Sequence, residues 1–249
     1  GECGMRASRG AIEKVEIDPQ SGLAACEVIG AVRPEGTDAR ERTAAQEARE
    51  AVRPEGICGS GMIALFAELF QSGWLDASGR LDTSRPCPAI VPEGRRHAYI
   101  LVPAEGSATG SPIKVTEFEI ENLLRTKAAI YSACSLMLKQ VGLAFNDLAH
   151  VYLAGGFGRY LDIGQALVLG LIPDLPREKF VYVGNASLTG SVMVLLSREF
   201  REKQQALARK MTYLELNTDP AYMDEYTGAL FIPHTEAARF PTVPLPARR

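Results

Sequence analysis

Clustered metal ligands are what this sequence most clearly lacks. Its five cysteines, Cys3, Cys26, Cys58, Cys87 and Cys134, form no CxxC pair and stand beside no histidine pair. Such spacing argues against a zinc or iron–sulfur site within the chain, and the odd count argues against a complete disulfide framework. Reduced thiols in a cytoplasmic setting are the expectation. The three histidines, His97, His150 and His234, are equally scattered and read as strand-edge or capping residues, not metal ligands. No apolar run approaches about eighteen residues, so no membrane-spanning helix is expected. An excess of positive charge is missing too: the net charge of -3 gives no electrostatic case for nucleic acid or an anionic membrane. The chain starts at Gly1, without a charged start followed by an apolar stretch, and reads as a piece cut from something longer.

What is present is ordinary globular material, with 46% hydrophobic and 23% charged residues over 249 positions, enough to bury a substantial core. Its organising stretch is residues 151–189, VYLAGGFGRYLDIGQALVLGLIPDLPREKFVYVGNASLT. A short apolar run at 151–154 stops at Gly155-Gly156-Phe157-Gly158, and residues 163–171 are apolar all round at helical length. KFVYV at 179–183 repeats the strand pattern, Gly184 breaks it, and a helix opens at Ser187 with Leu188, Val192, Leu195 and Leu196 on one face. Two successive strand ends thus carry glycine turns that point the same way. In open α/β sheets ligands sit beyond the carboxyl ends of strands, where glycines let them approach the backbone and helix N-termini offer free N–H groups. A nucleotide suits such a place. Close helix–strand packing is the other reading of GGFG.

Along the chain, residues 11–18 and 23–32 predict a hairpin around DPQSG. AVRPEG at 31–36 recurs at 51–56 around a charged, helix-prone run, which reads as a duplicated surface insertion over 31–56. Gly59-Ser60-Gly61 then precedes an amphipathic helix at about 62–71. That is an anion-binding N-terminus or a glycine-packed helix start. Residues 74–94 read as loop, 99–102 as a strand and 113–115 as a strand turn. Thr116 predicts an N-cap for a long helix to about Val141, with Ile120, Leu123, Leu124, Ala128, Tyr131, Cys134 and Leu138 on its core face. Lys127, beside that face, reads as a snorkelling lysine or one that reaches a phosphate. Residues 211–216 predict a last strand, 219–229 a helix, and FIPHT at 231–235 the start of a C-terminal wrap within a 205–249 extension. The order predicts an α/β fold, a mixed sheet with helices on both faces, of the ribonuclease-H-like kind.

Six blocks now carry a resemblance: GMRASRGAIEKVEID at 4–18, GICGSGMI at 56–63, KAAIYSA at 127–133, LAGGFGRYLDI at 153–163, VGNASLTGS at 183–191 and FIPHT. Together they resemble the C-terminal domain of the reductive activators of corrinoid proteins, nearly end to end. The resemblance implies an actin-like ATPase fold of the sugar kinase, heat-shock and actin superfamily (ASKHA), truncated at its N-terminus. It implies ATP with magnesium as cofactor, a corrinoid methyl-transfer protein as partner, and ATP-dependent return of cob(II)alamin to cob(I)alamin. An iron–sulfur, ferredoxin-like domain and the first half of the ATPase fold are expected upstream of Gly1, and homodimer formation is left open.

By the same resemblance, Gly155, Gly156, Phe157 and Gly158 correspond to the superfamily's adenosine-binding turn. Gly184, Asn185 and Ser187 correspond to a second glycine turn, where Asn185 hydrogen-bonds nucleotide or braces the first turn. Gly59, Ser60 and Gly61 match a family block without assigned roles. Arg6, in GMRA, reads as an internal salt bridge or a contact to phosphate or a partner carboxylate. The superfamily's two Asp-Gly-Thr phosphate hairpins are missing: 18–22, DPQSG, has a turn but neither the adjacent glycine nor the threonine. Resemblance places both upstream, so no catalytic residue and no metal ligand is assigned here. Two other readings stay open: a corrinoid-docking module without nucleotide turnover, and another ASKHA enzyme, an acyl-CoA dehydratase activator or small-molecule kinase.

Overall fold

Strand β1 (Ala11–Ile17) sets the frame, because Val15 and Ile17 turn into the core while Lys14 and Glu16 face water. It pairs antiparallel with β2 (Ala24–Val28), as the hairpin pattern predicts, and parallel with the short β3 (Gly56–Ile57). Helix α1 (Gly59–Gln71) then lies against β1, burying Ile63, Leu65, Phe66, Leu69 and Phe70. It starts three residues before the sequence pattern suggested. The computed structural model describes residues 3–31, 52–155 and 161–246, and the charged run between the two AVRPEG copies lies outside them.

The segment 74–94, expected as loop, contains strand β4 (Ile90–Glu93), which pairs with β5 (Arg96–Val102) around Gly94. Proline at position 92 hides it in the sequence, yet an edge strand tolerates a missing N–H. β5 also pairs with β6 (Ile113–Thr116), which leads directly into α2 (Glu117–Gln140). Thr116 and Glu119 close a capping box, each side chain taking the other's backbone N–H. Glu117 does more than suit the helix dipole. Buried at 3% exposure, its carboxylate accepts from the N–H groups of Leu81 and His97 and from Arg80, tying loop and β5 to the helix start.

β7 (Val151–Leu153) and β8 (Phe180–Tyr182) run parallel, with α3 (Ile163–Leu169) between them in sequence. The strands therefore form three sheets, and the mixed one is β2-β1-β3. Two helices, α4 (Ala186–Leu196) and α5 (Arg198–Ala208), follow β8. The apolar face of α4 meets solvent: Leu195 and Leu196 are 74% and 80% exposed. Residues 211–216, expected as a strand, form none. MTYLEL is rich in apolar and β-favouring residues, but no described strand lies alongside, and the backbone stays irregular until a 3-10 turn at Leu216–Thr218. Helix α6 (Ala221–Ala229) packs on α2 and delivers FIPHT to the core.

That delivery uses Lys127. The side chain neither snorkels nor faces an open phosphate site: at 2% exposure, Nζ donates to the carbonyls of Phe231 and of Pro233, the latter at 2.7 Å. Burial pushes its pKa down to about 7. On the other side of the same strap, Gly170 caps α3 at φ +72°, and a Cβ there would lie 2.1 Å from the Pro233 oxygen. Next along, Glu225 is gripped by Arg239 and Lys139. Burial alone raises its pKa, but bonds from Arg239, Ser135 and Lys139 prevail and hold it at about 2.

Two predictions follow from these contacts. Gly61 faces β1 so closely that a Cβ would sit 2.3 Å from the Ile12 carbonyl oxygen, backbone that cannot rotate away. Gly61→Val should cost about 3 kcal/mol or more, read by urea unfolding. Lys127→Met should cost roughly 1–3 kcal/mol by stranding two carbonyls. Because the folded pKa of Lys127 lies below its unfolded value, the unfolded chain holds the extra proton from about pH 7 upward. Wild-type stability should therefore gain on the variant as pH rises from 7 to about 10. A constant deficit across that range would contradict the assignment.

Candidate functional site

The two glycine turns after β7 and β8 meet. Register pairs Leu153 with Tyr182, Val183 N–H donates to Leu153 at 3.0 Å, and Gly155 N–H donates to the Gly184 carbonyl at 2.7 Å. Gly155 has φ +93° and Gly184 φ +69°, the left-handed region that favours glycine. A Cβ added at either would meet no described residue within 4 Å. Among the described residues nothing packs against either glycine, unlike Gly61 and Gly170. Gly156, Phe157 and Gly158 lie outside the described residues.

The second turn opens α4. Asn185 is its N-cap, and its side-chain oxygen accepts the Leu188 N–H at 3.1 Å. Bracing the first turn is thus not its role in this structure; the Gly184 carbonyl does that. Ser187 is exposed in the first turn of the helix. The Gly184 carbonyl also takes the Ala186 N–H at 3.0 Å, and the Gly155 carbonyl accepts the Tyr182 hydroxyl at 3.1 Å. Both turn carbonyls are thereby occupied. The N–H groups of Gly184 and Ser187 donate to no described residue. Carbonyls engaged, amides free and a positive helix end make an edge that receives hydrogen-bond acceptors, as a nucleotide offers. Tyr182 escaped the sequence reading. Its signal was KFVYV, where Phe180 and Tyr182 share a face and only Phe180 packs against the core.

Gly59, Ser60 and Gly61 are not part of this edge. They open α1 on the β2-β1-β3 sheet, with Ser60 turned inward and hydrogen-bonded to the Cys58 sulfur at 3.1 Å. Gly61 is a packing glycine. The GMRA segment lies beside them: Met5 N–H donates to Ile57 and Ile57 N–H to Cys3, both at 2.9 Å. A shallow depression there is lined by Gly4, Met5, Arg6, Ile57, Gly59 and Met62. Arg6 is exposed and makes no ion pair with a described residue, contrary to the internal salt bridge expected of it. Among the described residues no group of three or more His, Cys, Asp or Glu side chains is placed to hold a metal ion. All five cysteines are free, and no described helix is long and apolar enough to cross a membrane.

His234 of FIPHT is buried against Tyr131 and Phe240, with Nδ1 accepting the Glu236 N–H at 3.0 Å. Burial, then the nearby Arg239 and Lys127 charges, lower its pKa, so the neutral ring is favoured. It is a core residue, as is Tyr131.

Comparison with known proteins gives this geometry a context. Residues 1–244 match the family described as the C-terminal domain of RACo, the ASKHA domain. The corrinoid activation enzyme RamQ of Eubacterium limosum is 31% identical over 230 residues, covering 90% of this chain and 35% of that protein. The [Co(II) methylated amine-specific corrinoid protein] reductase of Methanosarcina barkeri is 27% identical over 173 residues, 69% of this chain and 28% of the relative. A solved structure, a reductive activator for corrinoid, iron–sulfur protein, superposes with a TM-score of 0.81 at 40% identity, over 96% of this chain and 35% of its own. The chain thus spans about a third of the length of the relatives it matches. With six sequence blocks, a fold and a family match in agreement, this chain belongs to the family of RACo C-terminal domains, the ASKHA domain.

Proposed function

We propose that this chain is the ATP-binding C-terminal part of an ATP-dependent reductive activator, which returns cob(II)alamin on a corrinoid methyl-transfer protein to cob(I)alamin. The observation that carries the reading is the pair of glycine turns joined by the Gly155–Gly184 hydrogen bond, open on the side where packing demands nothing. Gly155 and Gly184 let a nucleotide approach the backbone, and the start of α4 supplies N–H donors to it. Asn185 holds the helix end in place through its side-chain oxygen, and its side-chain NH2 remains a donor for a ligand. Bound Mg–ATP would contribute its cleavable phosphate bond, with the phosphate hairpins and the ferredoxin-like electron donor coming from the preceding part of a longer protein. Reduction of cob(II) is uphill for an ordinary iron–sulfur donor. Nucleotide-dependent states of this domain are suited to bias the transfer. The names of the relatives, a corrinoid activation enzyme and a Co(II) corrinoid protein reductase, support the same reading. A cytoplasmic location accords with the reduced thiols.

One observation favours a second reading, a docking module for a corrinoid protein. Leu188, Val192, Leu195 and Leu196 leave a broad apolar face of α4 uncovered.

Magnesium-ATP calorimetry on this chain and on the full-length activator separates the two. Binding by the full-length protein, with weak or no binding by the chain alone, is expected from a split nucleotide site. Binding by neither removes the nucleotide reading and leaves docking. Within the full-length protein, Gly184→Val should weaken ATP binding by about tenfold or more. It forces a branched residue into a left-handed turn costing roughly 1–3 kcal/mol and fills the approach path. Unchanged affinity in that variant would remove the second turn from the site.

A further inference from the structure

We propose that Tyr182 is a positioning residue of this site: its hydroxyl, donated to the Gly155 carbonyl, holds the first glycine turn against the second. The inference rests on the nucleotide reading and goes further, since it names a side chain that touches neither phosphate nor metal. Three bonds on the page form a short ladder beyond the strand ends: Val183 N–H to Leu153, Gly155 N–H to Gly184, and Tyr182 O–H to Gly155. The first two are backbone bonds that continue the parallel pairing of β7 and β8. The third is the one side-chain bond in the ladder, and it engages the carbonyl of the residue at φ +93°. Glycine at that position has no side chain to restrict its rotation, and a Cβ there would have no neighbour. The tyrosine supplies the restriction that packing does not.

Two further features fit this role. Tyr182 sits at the last position of β8, two residues before Gly184, so one residue's backbone sets the second turn while its side chain fixes the first. At 41% exposed, its hydroxyl bond contributes little to global stability, so its use lies in local order of the turn.

The test uses Tyr182→Phe in the full-length activator, with Mg–ATP as the probe. The expected result is a Kd and KM for ATP raised about five- to tenfold, with kcat at saturating ATP and the melting temperature unchanged. In the ligand-free variant, hydrogen exchange at the Gly155 amide should speed up by a similar factor. Wild-type exchange at Gly155 in the variant overturns the positioning role whatever the nucleotide does. Faster exchange with an unchanged Kd overturns it as well, because the ordering would then serve no ligand. Absence of ATP binding in the wild type is a separate failure, that of the nucleotide reading, and this inference falls with it.

Discussion

Lys127 is an amine buried in a helix face, and its burial is tolerable because two backbone carbonyls turn inward to accept its N–H groups. Those carbonyls belong to the C-terminal strap. The strap can reach them because Gly170 leaves room for Pro233 at the end of α3. Helix α3 in turn follows the first glycine turn along the chain. One buried lysine and the glycine that ends α3 therefore meet the same residue of the strap, Pro233, from two sides. The charged pair system of Glu225 with Arg239 and Lys139 secures the same strap a few residues on.

The six blocks that carry the family resemblance pair off in space. GMRA bonds to GICGSG through Met5, Cys3 and Ile57. KAAIYSA receives FIPHT through Lys127 and Tyr131. GGFG and VGNAS join through Gly155 and Gly184. Each pair is a place where backbone meets backbone or a buried side chain meets backbone, and such contacts tolerate few residue types. Gly56 illustrates the point, since a Cβ there would lie 2.6 Å from the Cys3 oxygen. Two of the pairs are accounted for by packing. The third is the one whose described glycines, Gly155 and Gly184, have no described residue packed against them.

Local chemistry was legible in the sequence, and distant partners were not. The hairpin at β1–β2 and the capping box of α2 are written in turn residues and in Thr116-x-x-Glu119. β4 was obscured by a proline that an edge strand accommodates. MTYLEL has apolar and β-favouring residues, but strand propensity is expressed only where a neighbouring strand is there to pair with. Lys127 could not be read because its acceptors lie 104 and 106 residues further on. At the candidate site, the turn positions of Gly155 and Gly184 were legible from strand-then-glycine spacing. Asn185 proved to cap its own helix, and Tyr182 was passed over because KFVYV marks a strand without showing which of its two same-face aromatic residues leaves the core. Gly59, Ser60 and Gly61 looked like the other glycine turns and serve packing in the case of Gly61, a distinction that depends on what a Cβ would strike.

The separation between Lys127 and its acceptors also governs timing. On a ribosome adding roughly 5 to 20 residues per second, α2 emerges about 5 to 20 seconds before the carbonyls that accept from its lysine exist. During that interval the Lys127 head group lacks these two partners, so burying it against Ala128 and Tyr131 would carry an uncompensated desolvation cost. Contacts of such long sequence range are slow to form. The second of these bonds can form only once Pro233 has been made, 106 residues after Lys127.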